Sequence, residues 1–201
     1  MRFVCLDFET ANSDPASACS FGLTVFENGI PVLAEEQLLL PHRTCRWFNP
    51  FNVSIHGITP QTVRGAPEFP DILPHFRSVL ESGRVIAHNA AFDIGVLCAL
   101  CRRYDEPPPE IEYFCTCKAA RRFWRDLPNH RLDTLCRHIG HTFNHHQAGA
   151  DAEAAGRVYL AMMQEADCSE PEDFDSYIAI RPGRLSVAGH LLCKALPARR
   201  K

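Results

Sequence analysis

The chain has 201 residues, 46% hydrophobic and 22% charged, which suits one globular domain with a short extension and excludes a disordered chain. Its formal net charge of −3 argues against a protein that wraps long duplexes, because such proteins are usually strongly basic. A nucleic acid handled by this chain would be gripped at a short end in a local cleft, with metal ions supplying positive charge.

No apolar run approaches the roughly 20 residues that span a bilayer. Asp7 arrives too early for a secretory h-region of about 7–15 apolar residues, so a cytoplasmic location is expected. Phe3–Phe8 is an apolar run closing on acids and predicts a buried strand. Phe21–Phe26 predicts a second. Asn28-Gly29 then reads as a two-residue hairpin turn, since both residues tolerate positive φ. Val32–Leu40 would return, so the first three strands predict an antiparallel meander.

Thr59-Pro60 predicts a helix start, with threonine as N-cap and proline at the first helical position. Ile72–Leu80 has helical periodicity. Arg84–Ala87 predicts a short strand, and Ala91–Tyr104 a helix that Pro107-Pro108-Pro109 keeps from continuing. Ile111–Phe114 predicts another short strand. Helices are expected near Cys117–Trp124, Arg131–Ile139 and Gly149–Ala166. Three early strands followed by alternation of strands and helices predict an α/β fold, a mixed sheet covered by helices. The pattern weakens from about Cys168, where acids and then basic residues dominate up to Arg199-Arg200-Lys201. The expected division is therefore a domain over residues 1–167 and an extension over 168–201.

Ten cysteines accompany these elements. Cys98-x-x-Cys101 and Cys115-x-Cys117 admit a zinc reading. Cys98 and Cys101, however, fall at helical spacing in the apolar stretch from Ile94, where cysteine serves as a small hydrophobe. That bland reading is preferred.

Three segments carry chemistry. In Asp7-x-Glu9, residues i and i+2 of a strand share a face. Two adjacent carboxylates repel and raise each other's pKa unless a cation sits between them. His88-Asn89-Ala90-Ala91-Phe92-Asp93 joins a strand to a helix at the kind of sheet edge where α/β proteins build sites. His146-Gln147-Ala148-Gly149-Ala150-Asp151 places a histidine on the loop before the last strong helix. Each has an ordinary structural explanation: strand acids reaching water, a carboxylate near a helix start, a loop histidine. Together they give four carboxylates, Asp7, Glu9, Asp93 and Asp151, and one histidine, His146. Oxygen ligands suit Mg²⁺ or Mn²⁺, two such ions can clamp a phosphoryl displacement, and a neutral imidazole can take a proton from water.

On these residues the sequence resembles the DnaQ-like, DEDD superfamily of 3′–5′ exonucleases, histidine subgroup. Asp7-Phe8-Glu9-Thr10, His88 to Asp93, and His146 to Asp151 match its three motifs in order. Ile55-His56-Gly57-Ile58-Thr59 and Asn129 to Leu135 resemble connecting segments of bacterial polymerase III proofreading modules. The resemblance covers about Phe3 to Ala166. It implies a ribonuclease H-like fold and two Mg²⁺ or Mn²⁺ ions held by Asp7, Glu9, Asp93 and Asp151, with Asp7 bridging. It implies His146, rather than His145, as general base. The expected reaction is hydrolysis of the 3′-terminal phosphodiester of DNA with release of nucleoside 5′-monophosphates, as in replication or repair. Thr10 and Ala11 would lie beside the terminal nucleotide. His88, Asn89 and Phe92 would line the cleft, with Phe92 either stacking there or filling core.

Two departures touch substrate contacts rather than the metal ligands. Thr10 is followed by Ala11-Asn12 where many relatives have glycine, and Ala18-Cys19-Ser20 precedes the second strand in place of a common Ile-Glu-Ile-Gly pattern. The alternatives are an exoribonuclease or oligoribonuclease with the same chemistry, and a non-catalytic nucleic-acid-binding module, which an intact ligand set disfavours. Expected partners are single-stranded or frayed 3′ ends of DNA, with RNA as the alternative, and no membrane. The chain reads as a stand-alone nuclease or a separate subunit; a polymerase or repair partner and a homodimer are left open. Arg121, Arg122, Arg125, Arg131 and the basic end Arg199–Lys201 are candidate phosphate contacts or simply solvated charge.

Overall fold

The computed structural model describes residues 1–197, so the basic end Arg199–Lys201 lies outside the described residues. Strand β1 (Arg2–Thr10) pairs antiparallel with β2 (Ala18–Glu27), which pairs antiparallel with β3 (Ile30–Leu38). Asn28 and Gly29 join β2 to β3 with φ of 51° and 81°, the two positive angles such a turn requires. On its other edge β1 pairs parallel with β4 (Arg84–Ala87), and β4 pairs parallel with β5 (Ile111–Cys115). The antiparallel meander and the parallel strands expected from the sequence are therefore one continuous sheet.

Helix α1 (Pro50–His56) follows β3, and α2 (Phe69–Leu80) precedes β4. Then come α3 (Ala91–Arg103), and, after β5, α4 (Thr116–Phe123), α5 (Leu132–His138) and α6 (Ala148–Glu165). Among the described residues no helix is long and apolar enough to cross a membrane.

One expectation needs correction. No regular helix begins at Thr59-Pro60: Thr59 Oγ1 accepts from the Thr62 amide as a cap should, but the chain makes a single turn and leaves through Gly65 at φ 86°. The helix forms ten residues earlier, where Asn49 caps α1 by accepting from the Phe51 amide and Pro50 takes the first helical position. The same cap-proline signal was present twice, and only the first copy has the chain length to propagate.

The residues after Cys168 are built into the fold. Helix α7 (Pro171–Tyr177) is followed by short strands β6 (Ile180–Arg181), β7 (Gly183–Ser186), β8 (Gly189–Leu191) and β9 (Lys194–Ala195). β7 pairs antiparallel with β5 and β8 with β7, giving a seven-stranded order β3-β2-β1-β4-β5-β7-β8. Phe174 of α7 is fully buried against Phe114 and Tyr159. Sequence periodicity missed these strands because each is only two to four residues long.

Helix α6 lies across β1 and β2. Its approach is set by Gly156, where any Cβ would fall 2.4 Å from the Phe26 ring and 2.7 Å from Cys5 Sγ. Cys5 therefore faces α6, and so do Asp7 and Glu9, two and four residues further along the same strand face. Eight of the ten cysteines are buried, and among the described residues no cluster with metal-ligand spacing includes one.

Candidate active site

The site sits where β1 runs past its parallel partner. The β1–β4 register ends at Cys5 and Ile86, and beyond it the Phe8 amide donates instead to Asp93 Oδ1 at 3.1 Å. That bond draws the first turn of α3 into the gap the strand leaves. Asp93 is fully buried, and its other oxygen, Oδ2, has no hydrogen-bond partner. An unpartnered buried carboxylate oxygen is costly unless something positively charged meets it.

Asp151 arrives from the first turn of α6, where helix amides favour a carboxylate. It is 4% exposed. His145 Nδ1 lies 2.9 and 3.1 Å from its two oxygens, and the His146 amide donates to Oδ2 at 3.2 Å. Oxygens of Asp7, Glu9 and Asp151 all fall within 4.8 Å of one another. The structure thus brings acids from residues 7, 9 and 151 within reach of one another, and holds Asp93 on the amide of Phe8, the residue between Asp7 and Glu9.

These acids strain against each other electrostatically. Burial, then the charges of Asp93, Asp151 and Glu9, hold Asp7 well above the usual carboxylate range. Burial, then the charges of Asp151, Asp93 and Glu36, push Glu9 up to about 8. Burial pushes Asp93 up to about 8 although the Phe8 amide opposes it. Burial raises Asp151 against the pull of His145. An all-oxygen donor set, one member of which has an orphaned buried oxygen, fits a hard divalent cation such as Mg²⁺ or Mn²⁺.

His146 has φ 70° and stacks on His145 with ring centroids 3.9 Å apart. Burial and the neighbouring His145 lower its pKa, so at neutral pH it is an uncharged base. Nothing in residue order marks its neighbour, His145, as the one that bonds Asp151.

The expected cleft residues divide. Thr10 lies at a cleft of about 410 Å³ shared with Asn12, Asn52 and Phe92. Phe92 is 44% exposed, which rules out the core role. Ala11 is buried and packs with Cys19, Ile58 and Val63. Asn89 is exposed, with φ 60°. His88 is engaged structurally: Nε2 meets the His130 carbonyl at 3.1 Å and Nδ1 meets Thr116 Oγ1 at 3.0 Å. Burial lowers its pKa to about 4. A neutral ring whose Nε2–H serves a carbonyl must accept at Nδ1, so His88 ties the β4–α3 turn to α4 and the loop before α5. Of the candidate phosphate arginines, Arg122 donates to the Leu196 carbonyl and Arg131 pairs with Asp133.

Residues the sequence did not single out complete the site. Asn52 and His56, four apart on α1, both bond the Thr10 carbonyl, at 2.8 and 3.2 Å. Gly22 pairs with Asp7 across β1–β2.

A family model described as "Exonuclease" matches residues 4–159. Among curated relatives, the PolC-type DNA polymerase III of Oceanobacillus iheyensis is 36% identical over 113 residues, covering 56% of this chain and 8% of the relative. The PolC-type enzyme of Streptococcus mutans is 33% identical over 117 residues, covering 58% and 8%. The chain therefore spans less than a tenth of the curated relatives it matches. Among solved structures, exonuclease X in complex with 5′ overhanging duplex DNA aligns with a TM-score of 0.70 at 23% identity, over 88% of this chain and 99% of that one. The nuclease domain of 3′hExo, a DEDDh family member bound to rAMP, aligns with a TM-score of 0.69 at 17% identity, over 82% and 92%. The seven-stranded mixed sheet is thus the ribonuclease H-like fold of exonucleases.

Proposed function

From the premise that this chain belongs to the exonuclease family, in its DnaQ-like DEDD branch, we propose that it removes nucleotides singly from the 3′ ends of DNA. The observation that carries this reading is the convergence of Asp7, Glu9 and Asp151 oxygens within 4.8 Å, beside the orphaned oxygen of Asp93. Asp7, Glu9, Asp93 and Asp151 would hold two Mg²⁺ or Mn²⁺ ions. Those ions would supply charge stabilisation for the scissile phosphate and the departing 3′-oxygen.

The protein's own groups do the rest. The Phe8 amide fixes Asp93, and the His145 ring with the His146 amide fixes Asp151, so these two acids are held before substrate arrives. His146, neutral at pH 7, accepts on a ring nitrogen the proton lost by the attacking water. The attack breaks the bond from phosphorus to the 3′-oxygen and releases a nucleoside 5′-monophosphate. Thr10, clamped by Asn52 and His56, and Phe92 across the cleft would flank the terminal nucleoside. Ala11, His88 and Asn89 would act from behind, shaping the loops on either side.

The polymerase relatives carry the matched segment as 8% of their length, which supports work beside a polymerase. The test is digestion of 3′-labelled and 5′-labelled DNA and RNA oligomers with Mg²⁺, Mn²⁺ or chelator. Release of labelled mononucleotide first from the 3′-labelled DNA, abolished by chelator, is expected. Cleavage from the 5′ end, internal cleavage, or faster loss of RNA would each overturn part of the reading.

A further inference from the structure

Helix α1 buries none of its seven residues. One of its faces is accounted for: Asn52 and His56 point at Thr10 and bond its carbonyl. The adjoining face carries Phe51, 69% exposed, with Ile55 one turn on, and Trp47, 54% exposed, just ahead of the helix. Large apolar groups this exposed, on a short segment whose Asn52 lines the candidate catalytic cleft, mark a surface built to be covered.

This face is fastened to the candidate site rather than placed loosely near it. Asn12, two residues after Thr10, donates through Nδ2 to the Cys45 carbonyl at 2.8 Å and the Trp47 carbonyl at 2.6 Å. The Asn49 amide donates to the Ala11 carbonyl at 2.8 Å. Asn12 is 2% exposed and its own carbonyl is held by Ser17. The strand end that carries Asp7 and Glu9 therefore continues into Thr10–Asn12, and Thr10–Asn12 holds the Trp47–His56 segment at four points. Whatever covers Trp47 and Phe51 is in register with whatever occupies the cleft at Thr10.

We propose that Trp47 and Phe51 form a stacking platform for the bases just upstream of the 3′-terminal nucleotide, which makes single-stranded ends the preferred substrate. The inference rests on the exonuclease reading above. Aromatic faces hold successive unpaired bases with little regard to sequence, whereas bases paired in a duplex have their faces already stacked. With a formal net charge of −3, the chain has little overall attraction for a long phosphate backbone, so stacking must carry much of the grip.

Trp47 offers its own reporter, because the chain has only one other tryptophan, Trp124, which is 7% exposed. In chelator, where nothing is cut, a ten-residue oligodeoxythymidylate should quench tryptophan emission, and Trp47→Phe should remove the quenching while keeping affinity. A blunt duplex of equal length should quench far less. In steady-state assays with Mg²⁺, Trp47→Ala and Phe51→Ala should each raise KM for the single strand about tenfold with kcat within about twofold. Both sites are exposed, so thermal melts should match the wild type. Unchanged KM in both variants, or equal quenching by duplex and single strand, would overturn the platform. Absence of any wild-type cleavage would overturn the exonuclease reading instead, and the quenching experiment separates the two.

Discussion

Gly22 sits directly across the β1–β2 pairing from Asp7, and a Cβ there would fall 2.0 Å from the carbonyl oxygen of Ala148, the first residue of α6. The lack of a side chain at one position is thus what lets the helix bearing Asp151 begin beside the strand bearing Asp7. Gly22→Ala is expected to shift the start of α6. Overpacking should cost about 1–3 kcal/mol in chemical denaturation, and misplacing Asp151 should lower kcat on labelled DNA roughly 100-fold. An alanine variant with wild-type turnover would show that α6 finds its place without this contact.

Asp7→Asn should separate catalysis from stability. Turnover should fall below about 1% of wild type, since a ligand proposed to hold the ions is lost. In chelator the same variant should melt higher than the wild type, because one of four mutually repelling buried acids is gone. Each kcal/mol relieved should appear as about 2–4 °C in Tm. A lower Tm in chelator would mean that the acids are not under strain.

The pH dependence of the metal-free protein follows with a definite sign. Unfolded acids titrate near 4, while burial and mutual charge hold Glu9 and Asp93 near 8 and raise Asp7 and Asp151. Between those limits the native state binds more protons than the unfolded one, so this stability is present in acid and lost as pH rises through 8. Urea midpoints in chelator should drop from pH 5 to pH 8, and Mn²⁺ should restore them at pH 8 by mass action. A flat profile would contradict the coupled, cation-seeking site.

His145 and His146 should behave differently despite being adjacent and stacked. Removal of a general base costs roughly 100- to 10,000-fold in kcat, so His146→Ala should show that loss with KM little changed. His145→Ala leaves Asp151 without its ring contact and should weaken Mn²⁺ binding or kcat more modestly. Calorimetric titration of Mn²⁺ and single-turnover rates distinguish the two; equal losses in both measures would erase the division of labour.

Arg84 opens strand β4, 9% exposed in its side chain, paired with Glu112 at 2.6 Å and Asp175 at 2.9 Å. It joins β4, β5 and α7 in one ionic group, in which Arg84 and Asp175 are largely buried. Arg84→Ala strands Asp175, which is 8% exposed, and breaking a buried pair this way should cost about 3–5 kcal/mol in urea unfolding. Because the group lies away from the acids of the cleft, kcat of the folded fraction should be retained.

Much of the frame was legible in residue order. Strand β4 has the bounds that its apolar run predicted, the Asn28-Gly29 turn adopts the two positive φ values that its residues tolerate, and the four acids lie where the strand ends and helix starts were read. These are local matters: periodicity, turn chemistry and spacing act over a few residues, and the chain states them directly. The helix wrongly expected at Thr59 and the one missed at Pro50 share a local signal, and what separates them is the length of chain free to propagate a helix before Gly65. Strands β6 to β9 were invisible because two to four residues carry no period; only a free edge on β5 gives β7 a partner. Tertiary structure alone decided that Gly22 clears room for α6, that the His145 ring takes Asp151 while the His146 ring stacks on His145, and that α1 turns its polar face to Thr10 and its aromatic face to solvent. Each depends on the distance between segments far apart in the chain, and steric exclusion and hydrogen bonding across such distances exist only once the sheet has brought those segments together.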